Sequence, residues 1–248
     1  MAKHRRTHAR VNLARAALGA TVAAGALGFG AAANAGTTAH TTAHAAHQVA
    51  HQAAHAAPAA RTRDTGSTGS AGAEGSKALK VTAEQVLATA RAQVGTSEDA
   101  NGGGTKFQKW YASSPRAAET IARDGGGSTA SYVDAPWCSM FVSWVGEQSG
   151  ARSQVGWDAY TVAHAKWFQA NHRFGSAAKP GAVVFFSWSG SKDLSAINHV
   201  GFVVKDNGDG TISTIEGNTG NGKVEQRVRP ASQVVGYGYP HYAPTARA

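Results

Sequence analysis

Cysteine is almost absent from this sequence: Cys138 is the only one in 248 residues. No intramolecular disulfide can form, so the fold has to rest on its apolar core. Acidic residues are missing from the first 35 positions, which carry Lys3, Arg5, Arg6, Arg10 and Arg15. Large apolar side chains are almost missing from residues 36–78, a run of mainly Ala, His, Thr, Gly and Ser. Such a segment cannot bury enough surface to offset its ordering entropy, which excludes a compact domain there. No repeated module is visible, and the material for a core is confined to residues 79–248.

What the N-terminus does have is an uncharged run, Ala16 to Ala33, rich in Ala, Gly, Leu and Val and followed by Asn34-Ala35. A basic start, an apolar middle and a small-x-small end read as a secretory signal peptide over residues 1–35, cleaved after Ala35. The rival is an uncleaved anchor, since the run is nearly long enough to span a bilayer, but its Gly and Ala make it weakly hydrophobic. Arg5-Arg6 is followed by Thr7 and His8 rather than an apolar pair, so a twin-arginine signal is weak. Removing 1–35 takes five of the 24 basic residues, leaving 19 against 15 acidic, a net charge of +4. That favours an anionic surface such as a cell wall and is too mild to argue for nucleic acid. The chain is expected to be secreted, without stable membrane association after cleavage.

Residues 36–78 are expected to be a linker. Within it His40, His44, His47, His51 and His55 are spaced by 4, 3, 4 and 4, a single stripe on a helix. The stripe fits transition-metal binding or a patch that charges below about pH 6.5. Low-complexity Ala/His sequence explains it better, and that is the reading adopted: no metal and no cofactor.

In residues 79–248, Thr82 with Gln85 three positions on makes a capping box for a helix with Val81, Val86, Leu87 and Val94 on one stripe, ending at Gly95. Residues 96–135 read as loop-rich, with Gly102–Gly104 and Gly125–Gly127, interrupted by Phe107, Trp110 and Tyr111. A short helix is expected over Tyr160–Asn171. From Lys179 the texture changes to short β-branched and aromatic runs: Ala182–Trp188, His199–Lys205, Thr211–Glu216, Lys223–Val228 and Val234–Tyr239. Turn sequences such as Asn207-Gly208-Asp209-Gly210 and Asn221-Gly222 separate them, which gives an antiparallel sheet. Helices first and sheet second make the fold α+β.

Cys138 lies in Pro136-Trp137-Cys138-Ser139-Met140-Phe141-Val142-Ser143-Trp144-Val145. Phe141, Val142 and Val145 follow it at i+3, i+4 and i+7, which places Cys138 at the start of a helix running to about Gly150. There the open N–H groups and the helix dipole favour a thiolate. A lone cysteine is more often an inert core residue, but a free thiol kept outside the cell is open to oxidation and is best explained by chemistry. A nucleophilic cysteine needs a base, and the base an orienting group. Of eleven histidines only His164, His172, His199 and His241 fall in residues 79–248. His199 heads a strand, where its ring can project from the sheet edge, whereas His164 and His172 read as surface residues of a helix. The next strand ends in Glu216-Gly217-Asn218, and either Glu216 or Asn218 can face the His199 ring.

These blocks resemble the CHAP family, cysteine- and histidine-dependent amidohydrolases and peptidases of papain-like fold. The resemblance rests on Pro136-Trp137-Cys138 with Phe141-Val142-Ser143-Trp144, on Asn198-His199-Val200-Gly201, and on Glu216-Gly217-Asn218. It implies Cys138 as nucleophile, His199 as base, Glu216 as orienting acid and Asn218 as a fourth polar member. It also implies peptidoglycan amide bonds as substrate, in the stem peptide, the cross-bridge or between muramic acid and L-alanine. Some members carry an acidic calcium loop before the cysteine; residues 127–134 are too poor in carboxylates for it. Trp137, Trp188, Trp110 and Tyr160 are the candidates to flank a substrate groove, and a monomer is expected. The nearest rival, the NlpC-type papain-like peptidases, usually places a histidine on the strand after the base, and this chain has none there. A catalytically idle wall-binding protein of the same fold is the alternative of a different class, against which the intact Cys138, His199 and Glu216 stand.

Overall fold

Three polar residues before apolar runs start the helices of the N-terminal half. The computed structural model describes residues 80–245, so the expected signal peptide, the linker and its histidine stripe lie outside the described residues. Thr82 caps helix α1 (Ala83–Arg91) through a capping box with Gln85, and α1 buries Val86, Leu87 and Ala90. Thr105 makes the same box with Gln108 and starts α2 (Lys106–Ala112); Ser114, followed by Pro115, starts α3 (Pro115–Arg123). These two helices correct the loop-rich reading of residues 96–135. Both are short and bounded by glycines, yet the Thr105–Gln108 and Ser114-Pro115 signals are present in the sequence.

Helix α4 (Cys138–Gln148) is the centre of the helical layer and buries eight of its eleven residues. Short α5 (Arg152–Val155) and then α6 (Thr161–Ala170) follow. The remaining chain forms one antiparallel sheet of β1 (Phe174–Gly175), β2 (Val183–Phe186), β3 (His199–Asp206), β4 (Thr211–Thr219), β5 (Lys223–Pro230) and β6 (Val234–Gly238). The order is β1-β6-β2-β3-β4-β5. Only the two-residue β1 has no counterpart among the strands expected from sequence. The α+β arrangement of helices against an antiparallel sheet is what the structure shows.

Strand alternation sorts the side chains. Val183, Phe185, Val200, Phe202 and Ile215 join the helices in the main core, while Val184, Phe186, Val203 and Ile212 belong to a second cluster on the other face. Each large apolar side chain so buried contributes about 1.5–3 kcal/mol. The aromatic piece of α2 belongs to this core: Phe107 stacks on Trp137 at 5.3 Å and meets Phe141 edge-on. Gly217 lets α4 approach β4. A Cβ there would lie 2.6 Å from Phe141 Cβ and 2.7 Å from Trp137 Cζ3. Gly217→Ala is therefore expected to destabilise the fold by about 1–3 kcal/mol, as overpacking does. Urea unfolding checks this, and an unchanged midpoint would contradict so close a helix–sheet contact. Among the described residues no helix is long and apolar enough to cross a membrane.

Candidate active site

Trp137 precedes α4 without making a side-chain cap, so the first N–H groups of the helix, that of Cys138 included, keep no side-chain partner. Cys138 is reduced and only 2 % exposed. It stands where α4 comes up to the beginning of β3, and the side chain of His199, the first residue of β3, interacts with its thiol. The other side of the imidazole is taken: His199 Nε2 lies 2.9 Å from Glu216 Oε2. Nδ1 is thus the nitrogen left for the sulfur.

The register explains the second contact. Gly201 pairs with Glu216 across β3 and β4, two residues along from His199 and on the same face. A Cβ on Gly201 would lie 2.7 Å from Glu216 Cγ, so the carboxylate reaches the imidazole across a position that only glycine leaves open. Glu216 is completely buried, and four donors converge on it. Besides His199 they are Thr214 Oγ1 at 2.6 Å, Arg229 Nε at 2.9 Å and Arg229 Nη2 at 2.6 Å. Arg229 Nη2 also donates to Thr219 Oγ1 at 2.9 Å.

Burial works against both charged forms of this pair, and the partners outweigh it. Burial lowers the His199 pKa, but the hydrogen bonds to Cys138 and Glu216 and the Glu216 charge raise it to about 9. Burial raises the Glu216 pKa, but His199 and Arg229 pull it down to about 2. An imidazolium–carboxylate pair at neutral pH is the result.

These shifts fix the sign of a pH effect on stability. Stability from the raised His199 is complete below its ordinary value of 6.5 and is lost as pH rises towards about 9. Stability from Glu216 is complete above the ordinary carboxylate range and is lost as pH falls towards about 2. The urea midpoint is therefore expected to fall between pH 6.5 and 9 in the wild type, and that slope to vanish in His199→Gln. An identical slope in both proteins would contradict the pairing.

Of the other candidates, Asn218 makes no side-chain hydrogen bond to Cys138, His199 or Glu216. It sits in a left-handed conformation (φ 54°) where the β4–β5 register shifts between Glu216 and Thr219. Of the two residues able to face the imidazole, the structure turns Glu216 to it. Trp137 needs a correction as a groove residue: it is fully buried, stacked on Phe107, and its indole N–H donates to Glu98 at 2.7 Å. Trp110 is half-buried and stacks on Trp157. Tyr160 is half-buried at the start of α6. Of the four, Trp188 lies against His199, ring centroids 5.1 Å apart, and is 40 % exposed. Asn198 Oδ1 accepts from its backbone N–H at 3.3 Å.

His164 also departs from expectation: it is fully buried, not on the surface. It stacks on Phe168, its Nδ1 lies 2.9 Å from Ser139 Oγ, and its Nε2 2.8 Å from the Val155 carbonyl. Burial lowers its pKa. Ser139 and Ser143, one turn apart on α4, both hydrogen-bond the Asp158 carbonyl. The Asp158 carboxylate takes Arg116 and Arg123, which ties α3 to the face of α4 beside Cys138. A hollow of about 300 Å³ bordered by Arg116, Arg152, Trp157, Asp158, His164 and Trp167 lies on that side and contains neither Cys138 nor His199. Arg229, Thr214 and this polar support were not singled out in the sequence, because they serve through partners that only the register and the helix packing bring close.

A thiol, an imidazole and a buried carboxylate joined in series, with the thiol at an uncapped helix start, are the parts of a nucleophile–base–orienter relay. Among the described residues no group of three or more His, Cys, Asp or Glu is placed to hold a metal ion. Residues 130–218 match the family model described as the CHAP domain, a stretch that runs from just before Cys138 to just past Glu216. No curated protein and no solved structure gave a match. The match supports hydrolase chemistry of the amidase and peptidase kind.

Proposed function

We propose that this chain, whose residues 130–218 match the CHAP-domain model, is a secreted cysteine amidase or endopeptidase that cleaves amide bonds in peptidoglycan. The observation that carries the reading is the buried His199–Glu216 pair, 2.9 Å apart, with the Cys138 thiol acting on the same imidazole. Cys138, as thiolate beside protonated His199, attacks the amide carbonyl. Open N–H groups at the start of α4 hold the developing oxyanion. His199 gives its proton to the leaving amine, which departs as the thioester forms. His199 then takes a proton from water, hydroxide attacks the thioester, and the carboxylic acid leaves with the thiolate restored. Glu216 stays ionised throughout and keeps Nε2–H turned towards itself, so that Nδ1 addresses the sulfur.

The net charge of +4 after residue 35 supports a polyanionic wall as the target. An acyl group on the substrate has to reach Cys138, a residue only 2 % exposed. Trp188 is the candidate to contact that group, since it is the exposed ring beside His199. The chain from residue 36 onward, incubated with purified sacculi, is expected to release fragments with new free amines. Mass spectrometry of those fragments then assigns the bond to the stem peptide, the cross-bridge or the muramoyl–alanine linkage. Tight sedimentation with the wall and no released fragment would instead favour a binding protein that keeps the fold.

A further inference from the structure

We propose that Arg229 is a positioning residue of this reaction: it locks the Glu216 carboxylate in the one orientation that steers His199, and clamps Trp188 over the pair. The proposal rests on the hydrolase reading for its kinetic consequences, but not for its geometry. Arg229 is on β5, opposite Ile212 in the ladder, and reaches along the sheet to Glu216, whose own ladder partner is Glu225. Its fork meets both carboxylate oxygens: Nε lies 2.9 Å from Oε1 and Nη2 2.6 Å from Oε2. With Thr214 on Oε1, His199 on Oε2 and Nε also 3.2 Å from Oε2, four donors make five contacts with the two oxygens, and a partial rotation of the carboxylate would break some of them. The Nη2 bond to Thr219 anchors the guanidinium beyond the register shift at the end of β4.

The second half of the clamp is a stack. The Arg229 guanidinium lies over the Trp188 ring at 4.9 Å, and that ring is 5.1 Å from His199 and stacked on Phe186 at 5.6 Å. An exposed indole is thereby fixed over the imidazole from one side by a cation and from below by a core phenyl ring. Charge gives the arrangement its purpose. Glu216 is fully buried, and a buried carboxylate facing an imidazole alone is readily neutralised by a proton. A second, permanent cation keeps it ionised at every step, including those in which His199 has given its proton away.

The test uses the full chain with Arg229→Met and Arg229→Lys, read by kinetics on sacculi and by the ¹⁵N-histidine spectrum. Arg229→Met is expected to lower kcat about ten- to a hundredfold with KM within about twofold, the size seen when an orienting partner is lost. Its rate should collapse in acid about one pH unit earlier than the wild-type rate, since the carboxylate has lost an opposite charge. Arg229→Lys should restore the acid limb but only part of kcat, having charge without the fork. In the spectrum the wild-type Nε2–H of His199 should stay hydrogen-bonded down to lower pH than in Arg229→Met. Unchanged spectrum and pH profile in Arg229→Met would overturn the proposal, even with a lowered melting temperature, since that is a structural role alone. The spectral shift without amine release by the wild type would uphold the clamp and remove the hydrolase reading instead.

Discussion

Cys138→Ala is expected to lower amine release from sacculi by at least about 10⁴-fold while the protein stays folded. The nucleophile forms the bond that every later step depends on, so nothing else in the relay substitutes for it. Alanine removes one buried sulfur atom and adds none, and His199 and Glu216 keep their mutual bond, so the melting transition should move little. Cys138→Ser should be nearly as slow, because a hydroxyl paired with this imidazole surrenders its proton far less readily than a thiol. Activity retained in either variant would take the cysteine out of the chemistry.

Glu216→Ala is expected to cost about 10²–10⁴-fold in rate, less than Cys138→Ala, because the base survives but is misoriented. It should also be the most destabilising change in the site. Arg229, Thr214 and His199 all lose an acceptor that is itself fully buried, and breaking a buried ion pair costs about 3–5 kcal/mol. Glu216→Gln separates the two effects: it keeps the shape and an acceptor, so most stability returns while the charge that favours the imidazolium does not. Measuring rate and urea midpoint together on all three proteins checks the assignment. A Glu216→Ala protein as fast as the wild type would refute the orienting role.

The helices and strands that carry the relay were legible because their signals are local. Apolar spacing after Cys138 marks α4, the Thr82–Gln85 box marks α1, and turns at Asn207–Gly210 and Asn221-Gly222 divide the sheet. His199 was picked out by being the only histidine at the head of a strand, and the structure places it between Cys138 and Glu216. From strand pattern alone the choice between Glu216 and Asn218 stays open, although the family resemblance points to Glu216. It depends on the pairing of Gly201 with Glu216 and on the left-handed backbone at Asn218. Trp137 and Trp188 look alike in sequence, yet one is sealed under Phe107 and the other open beside the imidazole. The buried His164 was misplaced on the surface because α6 shows little amphipathic contrast. The Ser139 hydroxyl and the Val155 carbonyl that meet its two nitrogens come from separate elements. Arg229 lies thirteen residues from Glu216 and out of register with it, so no spacing rule reveals the contact.

Rapid acid quenching of the wild type during a single turnover on a soluble muropeptide, followed by peptide mapping, tests the central claim most directly. The account predicts an acyl fragment of the substrate attached to Cys138, growing in as the amine is released and decaying as the acid product forms. Amine release with the Cys138 thiol unmodified at every time point would contradict it, and would place the bond-breaking step on another residue or on water.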